Sequence, residues 1–491
     1  MNHRQVAASF ALALAVAASG WAAGSAEPQS PLPLDQRLPL EQPQPAQQAN
    51  KAALDPDDPC LSCHAASTPG LVESWRLSRH AASGVGCAAC HSPSPSDPSG
   101  AEHFGAAVTA VVSPRYCASC HPDAVAQNQR SKHAWTAFIG NLRPYYVEAR
   151  ARGLDPFSQE TARTLDPDEM ARRNVSSMFP DSGILKATGL LERPGFSHSN
   201  VNLGCAQCHG TFVVVQPDGA LSGWPNTGIG RINPDGSLGS CSSCHTRHKF
   251  SVEEARKPET CGQCHLGPDH PQIEIYEESK HGNIYASGGE SWTWNAPAGK
   301  WGPEHIEAPT CAACHLSGFG GQLPATHDVG ERLYWELQSP KSVPQWKNAE
   351  QVKDLVLERV ADAGQAEEGR KRMKVVCLQC HSPRWVDGYF AEFDKVVEDY
   401  NLAWDYVDRL LQSAYAQGLA AKENPLDEPA EIYHYLIWHH SGRRWRMGAA
   451  MMGPDWAHWN GAVDTLLINL GLLRGELESR RRYQELRGPA R

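Results

Sequence analysis

Apolar and polar positions divide the chain into stretches of different texture. Val6 to Ala18 is a short apolar run behind the positive Arg4, and Gly24-Ser25-Ala26 follows with small residues. A run of this length does not span a bilayer, so residues 1–26 are expected to be a cleaved export signal; a retained short anchor is the competing reading. Residues 27–59 are rich in Pro, Gln and Ala without a period, which predicts a disordered tether. Near the other end, Phe393, Val396, Val397, Tyr400, Trp404, Val407 and Leu411 recur at helical spacing until the breaker Asn424-Pro425. A second helix is expected over Glu431 to His440 and a third over about Ala462 to Arg482. Val463 to Leu473 is the most apolar stretch there, but Asp464 and Asn469 interrupt it, so it predicts a core helix and no transmembrane anchor in the mature chain. Polar helical stretches are expected around Glu160 to Arg173, with no assigned function, and over Gln351 to Val376. The aromatic stripe builds a core more often than it touches a cofactor, although some of it would also suit a subunit interface.

The cysteines change this picture. All sixteen fall in C-x-x-C-H motifs, beginning at Cys60, Cys87, Cys117, Cys205, Cys241, Cys261, Cys311 and Cys377 and closing at Cys63, Cys90, Cys120, Cys208, Cys244, Cys264, Cys314 and Cys380. Two thiols at this spacing add to the two vinyl groups of one haem, and the adjacent histidine reaches its iron. The proximal ligands are then His64, His91, His121, His209, His245, His265, His315 and His381. Disulfides or zinc would also use paired cysteines, but neither explains a histidine after every second one. Eight covalently attached c-type haems are therefore expected. Their motifs start between 20 and 88 residues apart, too irregular for a tandem repeat.

The fold expected is mainly α: a haem-packed region over 60–384, with short helices and loops between cofactors and no extensive protein core, then a C-terminal helical bundle over 385–491. The formal charge of −10 disfavours nucleic acid and suits a positively charged redox partner. Of 22 histidines, eight are proximal and His3 lies in the signal, leaving 13 for second axial positions.

Three further stretches carry a family resemblance: Gly267-Pro268-Asp269-His270-Pro271 running on to Ser279-Lys280-His281-Gly282; Ala325-Thr326-His327-Asp328-Val329-Gly330-Glu331-Arg332; and Trp438-His439-His440 with Arg443-Arg444-Trp445-Arg446-Met447-Gly448 and Met451-Met452-Gly453-Pro454-Asp455. Together with the eight motifs, the chain from about 60 to 485 resembles the octahaem hydroxylamine oxidoreductase family. The resemblance implies a helical homotrimer in which seven haems have two histidine ligands and the haem of the fourth motif, above His209, is open to substrate. It places Asp269 and His270 over that open face as an acid–base pair, chemistry that a carboxylate beside an imidazole performs near neutral pH. A second axial role for His270 is the competing reading. The expected distal ligands are His80, His103, His133, His248, His281 and His327, with the seventh open among His198, His305, His439 and His440.

One departure bears on direction. Oxidative members of the family cross-link the catalytic haem to a tyrosine from the next subunit, and the matching position here is Trp456. Tyr433 and Tyr435 lie nearby on an expected helix, where tyrosines usually pack. The favoured expectation is a periplasmic reductase of nitrite or hydroxylamine to ammonium, supplied by a cytochrome or a quinol-linked donor. The alternatives are hydroxylamine oxidation to nitric oxide or nitrite, and a non-catalytic electron conduit. The basic cluster Arg443, Arg444 and Arg446 would draw in an anion, or would simply be solvated charge.

Overall fold

A computed structural model describes residues 58–95, 97–171, 204–297, 299–344, 363–422, 426 and 428–487. The expected signal, nearly all of the tether, His198, Pro425 and the first part of the helix expected from Gln351 lie outside the described residues.

The chain is mainly α. Through the first seven motifs its helices are short. Asp58 caps the first, Pro59–Ser67, by accepting from the amides of Cys60 and Leu61, and Pro59 supplies a preset φ in the first turn. The motifs fold as helical turns on backbone bonding: the amides of His91, His121, His245, His265 and His381 each donate to the carbonyl of the first cysteine of their own motif, at 2.8–3.0 Å. That turn brings both thiols and the imidazole to one side.

Three two-stranded antiparallel hairpins interrupt the helices. The first pairs β1 (Ala101–His103) with β2 (Ala106–Val108) through Phe104 and Gly105, both at positive φ, the conformation a two-residue hairpin turn demands. The second pairs β3 (Val214–Val215) with β4 (Leu221–Ser222), and the third β5 (Trp335–Glu336) with β6 (Val343–Pro344).

The region holding the motifs has more protein core than its sequence suggests. Trp135, Phe138, Leu142, Tyr145, Tyr146, Phe212 and Ile232 are buried together beside the fourth motif. Trp292, Trp294, Trp301 and Phe319 form a second cluster against the seventh. Their tryptophans and tyrosines lie in loops and short helices, where no period marks them as core.

The helices that matter below are α1 (Gln272–Glu278), α2 (Cys311–His315, the seventh motif), α3 (Ala363–Leu378, ending in the eighth), α4 (Pro383–Ala416), α5 (Pro429–Leu436), α6 (Arg443–Met451) and α7 (Leu470–Arg487), of which α3, α4 and α7 are the long ones. Ser382 caps α4 through the amide of Trp385, with Pro383 in its first turn. The expected stripe is its buried face: Val397, Tyr400, Trp404, Val407 and Leu411 are buried, while Phe393 and Val396 are half-buried. Tyr400, Trp404 and Val407 pack with Ile437, Trp438, Leu473 and Leu477 into the C-terminal core. Burying each such side chain is worth about 1.5–3 kcal/mol.

Two helices differ from their expected outline. The segment expected over Glu431 to His440 is α5 followed by a π-helical turn, Ile437–Gly442, which leads into α6. The segment expected from Ala462 begins at His458 as a second π-helix, to Asn469, before α7. Gly448 and Gly461 allow this packing. A Cβ on Gly448 would stand 2.5 Å from the amide nitrogen of Ala457, and one on Gly461 would stand 2.5 Å from the Cα of Trp445.

Among the described residues, no helix is long and apolar enough to cross a membrane.

Candidate functional site: paired imidazoles and a clamped carboxylate

All sixteen cysteines are free of disulfides, and among the described residues no group of three or more His, Cys, Asp or Glu gathers as a bare-ion site. The histidines are instead arranged in pairs. Two imidazoles on one iron, each bonded at about 2 Å, have ring centres roughly 6.4 Å apart. Ring centres lie 6.1 Å apart for His64 and His103, 6.2 Å for His91 and His248, 6.2 Å for His121 and His80, 6.0 Å for His265 and His133, and 6.3 Å for His381 and His281. Five of the six expected distal histidines thus face a proximal one at a spacing that fits bis-histidine haem, and His327 lies near His245 and His121 without a ring contact at that spacing. The partners come from far along the chain: β1 delivers His103 to the first motif, and His281 crosses to the eighth.

The motifs are also stacked in an order unlike their order in sequence. The thiols of Cys117 and Cys241, of Cys208 and Cys264, and of Cys261 and Cys311 approach within hydrogen-bonding reach. Cys60 with Cys87, Cys90 with Cys120, Cys244 with Cys261, and Cys314 with Cys377 interact across wider gaps. Motifs one, two, three, five and six therefore form a continuous line. The sixth also touches the fourth and the seventh, and the seventh touches the eighth.

The fourth motif is set apart by its neighbours. Among the described residues no imidazole stacks at the paired spacing on His209, His245 or His315, and of these three only His209 has an Asp–His pair within reach. Gly140 packs directly behind its ring: a Cβ there would sit 2.5 Å from Nδ1. Asp269 and His270 lie within electrostatic reach of His209. His270 Nδ1 is 3.0 Å from Asp269 Oδ1, and its ring centre is also 6.2 Å from that of His265. The structure thus brings together the three residues expected to be catalytic.

Their surroundings include residues that sequence reasoning missed or misjudged. Arg443 donates to Asp269 Oδ2 at 3.1 Å, to His439 Nε2 at 3.3 Å, and through Nε to the carbonyl of Gln338 at 2.9 Å. Burial alone would raise the Asp269 carboxyl; His270 beside it, and then Arg443, outweigh that and hold the group well below the usual carboxylate range. His439 stacks on Tyr435 at 4.5 Å. Burial and then Arg443 depress it, so it accepts the guanidinium bond as a neutral ring. His439, one candidate for the seventh distal position, thus serves the Asp269 cluster. His440 lies beside it, ring centres 5.3 Å apart, and His305 sits 3.4 Å from Glu304.

The three arginines are not one anion-drawing patch. Only Arg443 meets Asp269 directly. Arg444 donates to the carbonyl of Pro268 at 2.5 Å and lies over Trp456. Arg446 is wholly buried, bound to Gly442 and Ser339 carbonyls and to Ser342, over the ring of Tyr400. A signal for Arg443 existed, since it stands four residues after His439, but nothing local revealed its partner 174 positions away.

Residues 236–424 match a family described as "seven times multi-haem cytochrome CxxCH", and residues 36–92 match cytochrome c554 and c-prime. A probable nitrite reductase–hydroxylamine oxidoreductase fusion protein of Kuenenia stuttgartiensis is 25% identical over 421 residues, 76% of this chain; the match spans 39% of that relative's length. A solved hypothetical multiheme protein superposes with TM-score 0.67 at 26% identity, covering 89% of this chain and 97% of its own. A reducing HAO-like protein complex of Kuenenia stuttgartiensis shares the fold at TM-score 0.57 and 20% identity, covering 87% and 86%. Fold and paired imidazoles together define a multihaem c-type cytochrome with covalently bound haems. Within that class, the chain is similar over 76% of its length to a probable nitrite reductase–hydroxylamine oxidoreductase fusion protein.

Proposed function

We propose that this protein is a periplasmic octahaem reductase that converts nitrite and hydroxylamine to ammonium at the fourth motif. The observation that carries this reading is the Asp269–His270 pair set against His209 and clamped by Arg443, a pair that His245 and His315, the other proximal histidines without a stacked imidazole among the described residues, do not have. A c-type haem held by Cys205, Cys208 and His209 would supply an iron that binds the nitrogen oxide and exchanges electrons with it. Reduction to ammonium consumes more protons than electrons, so a proton relay is as necessary as an electron supply. Asp269, kept ionised chiefly by His270, 3.0 Å away, and then by Arg443, holds the Nδ1 side of that ring. This orients the ring so that Nε2 is free to carry protons to the substrate and to be recharged.

The name of the fusion relative, which joins nitrite reductase with hydroxylamine oxidoreductase, supports nitrogen-oxide chemistry. Trp456 at the expected cross-link position favours the reductive direction. Hydroxylamine oxidation is the second reading, and it draws on Tyr435, whose phenol lies within electrostatic reach of Asp269. Export, read from the N-terminal apolar run, a homotrimeric state, implied by the resemblance, and a cytochrome or quinol-linked donor belong to the same proposal.

Two measurements test it. Purified protein supplied with a reduced viologen should form ammonium from nitrite and hydroxylamine. His270→Ala should lower that turnover by roughly two orders of magnitude with haem content unchanged. Unaltered turnover would remove His270 from the mechanism. A shifted absorption of the fourth haem in the fully reduced spectrum would reveal a tyrosine cross-link and reverse the direction.

A further inference from the structure

The loop after the seventh motif buries a cation with no counter-charge. Arg332 is 1% exposed. Its guanidinium makes five hydrogen bonds, all to backbone carbonyls: Nη1 to Ala313 and Cys314 at 3.2 Å each, and Nη2 to Leu316 at 3.4 Å, Ser317 at 2.9 Å and Pro324 at 2.7 Å. Those carbonyls include the last turn of α2, which carries Cys314 and His315. The guanidinium lies within electrostatic reach of His315 itself. No carboxylate pairs with Arg332 among the described residues. Glu331 lies within electrostatic reach of it but spends its oxygens on Arg372 and the hydroxyl of Thr326.

Carbonyls at a helix end supply partial negative charge, which explains how the cation is tolerated. They do not cancel it, and a buried charge acts over distance far more strongly than an exposed one. We infer that Arg332 sets the potential of the haem at the seventh motif, holding it more easily reduced than its ligands alone would make it. A one-electron reduction there lowers the local charge by one, breaks no bond and moves no proton. Its free energy therefore responds directly to fixed charge nearby. A more easily reduced seventh position, in contact with the sixth motif and with the eighth, would collect electrons next to the branch that leads to the fourth. The inference needs only a haem at the seventh motif and is independent of the substrate.

Potentiometric titration of the full-length holoprotein, followed by optical absorbance and electron paramagnetic resonance, tests it with two variants of opposite sign. Arg332→Gln keeps hydrogen-bond donors and removes the charge. One component of the titration should move to lower potential while the others stay in place. Glu331→Gln removes the neighbouring negative charge on a half-exposed side chain, and the same component should move to higher potential. Titrations matching the unmodified protein in both variants would overturn the inference. So would a shift in Arg332→Gln alone, because the guanidinium would then act by shaping α2 and not by its charge. If Arg332→Gln does not assemble, Arg332→Lys takes its place: it keeps the charge while giving up most of the carbonyl bonds, so the component should stay near its unmodified potential, and a marked fall would overturn the inference.

Discussion

At the residue scale the site turns on how one carboxylate is shared. Asp269 gives one oxygen to His270 and the other to Arg443, so Arg443 fixes the base without facing the substrate. Replacing it with Gln should cost roughly tenfold or more in turnover. It should also move the acid limb of the pH–rate profile upward. The sign follows from the ion pair: without Arg443, Asp269 loses a cation that favours its ionised form, its pKa rises, and protonation silences it at higher pH. A profile superimposing on that of the unmodified enzyme would leave Arg443 without this role. Gly140 is a second point of control. Gly140→Ala places a methyl where the His209 ring stands, so the fourth haem should change its spectrum and lose turnover while the remaining haems keep theirs. An unchanged spectrum would mean that the backbone yields and the ring does not.

At the level of elements, the sequence was legible where the signal is local. Each C-x-x-C-H motif announces itself, and the stripe from Val397 to Leu411 is the buried face of α4. Trp404 is 1% exposed at its centre, and Trp404→Ala should destabilise the C-terminal bundle by about 3–5 kcal/mol in chemical denaturation. The π-helical turns were not legible. One extra residue per turn leaves the hydrophobic pattern nearly intact while rotating everything after it, so Ile437–Gly442 reads as ordinary helix. That turn nonetheless presents His439 and Arg443 to Asp269. The clusters around Trp135 and Trp301 also escaped, because their members come from loops that carry no period.

Across the whole molecule, the information missing from the sequence is pairing. Which histidine meets which motif depends on contacts between distant segments, and composition supplies candidates without assigning them. Lys132 and Glu336, 204 positions apart, are one such contact; they join the segment beside His133 to β5. Burial pushes the Glu336 carboxyl up, but Lys132 more than compensates and its pKa is lowered. The stabilisation from this pair is therefore complete above the unfolded value of about 4.3 and is lost as pH falls through the lower folded value. Glu336→Gln should flatten the acid side of the stability–pH curve, measured by thermal unfolding between neutral and acidic pH. A curve as steep as before would assign the acid sensitivity to other groups.

The contact order of the thiols has a consequence for damage. The sixth motif is a junction: every path to the fourth passes through it, from the first three motifs by way of the fifth and from the eighth by way of the seventh. Losing the attachment at Cys261 and Cys264 would strand the fourth position from both ends at once. Losing the first or the eighth would close one inlet and leave the other in service. In network terms the molecule has redundant entrances and one irreplaceable crossing, which its linear sequence of evenly matched motifs conceals.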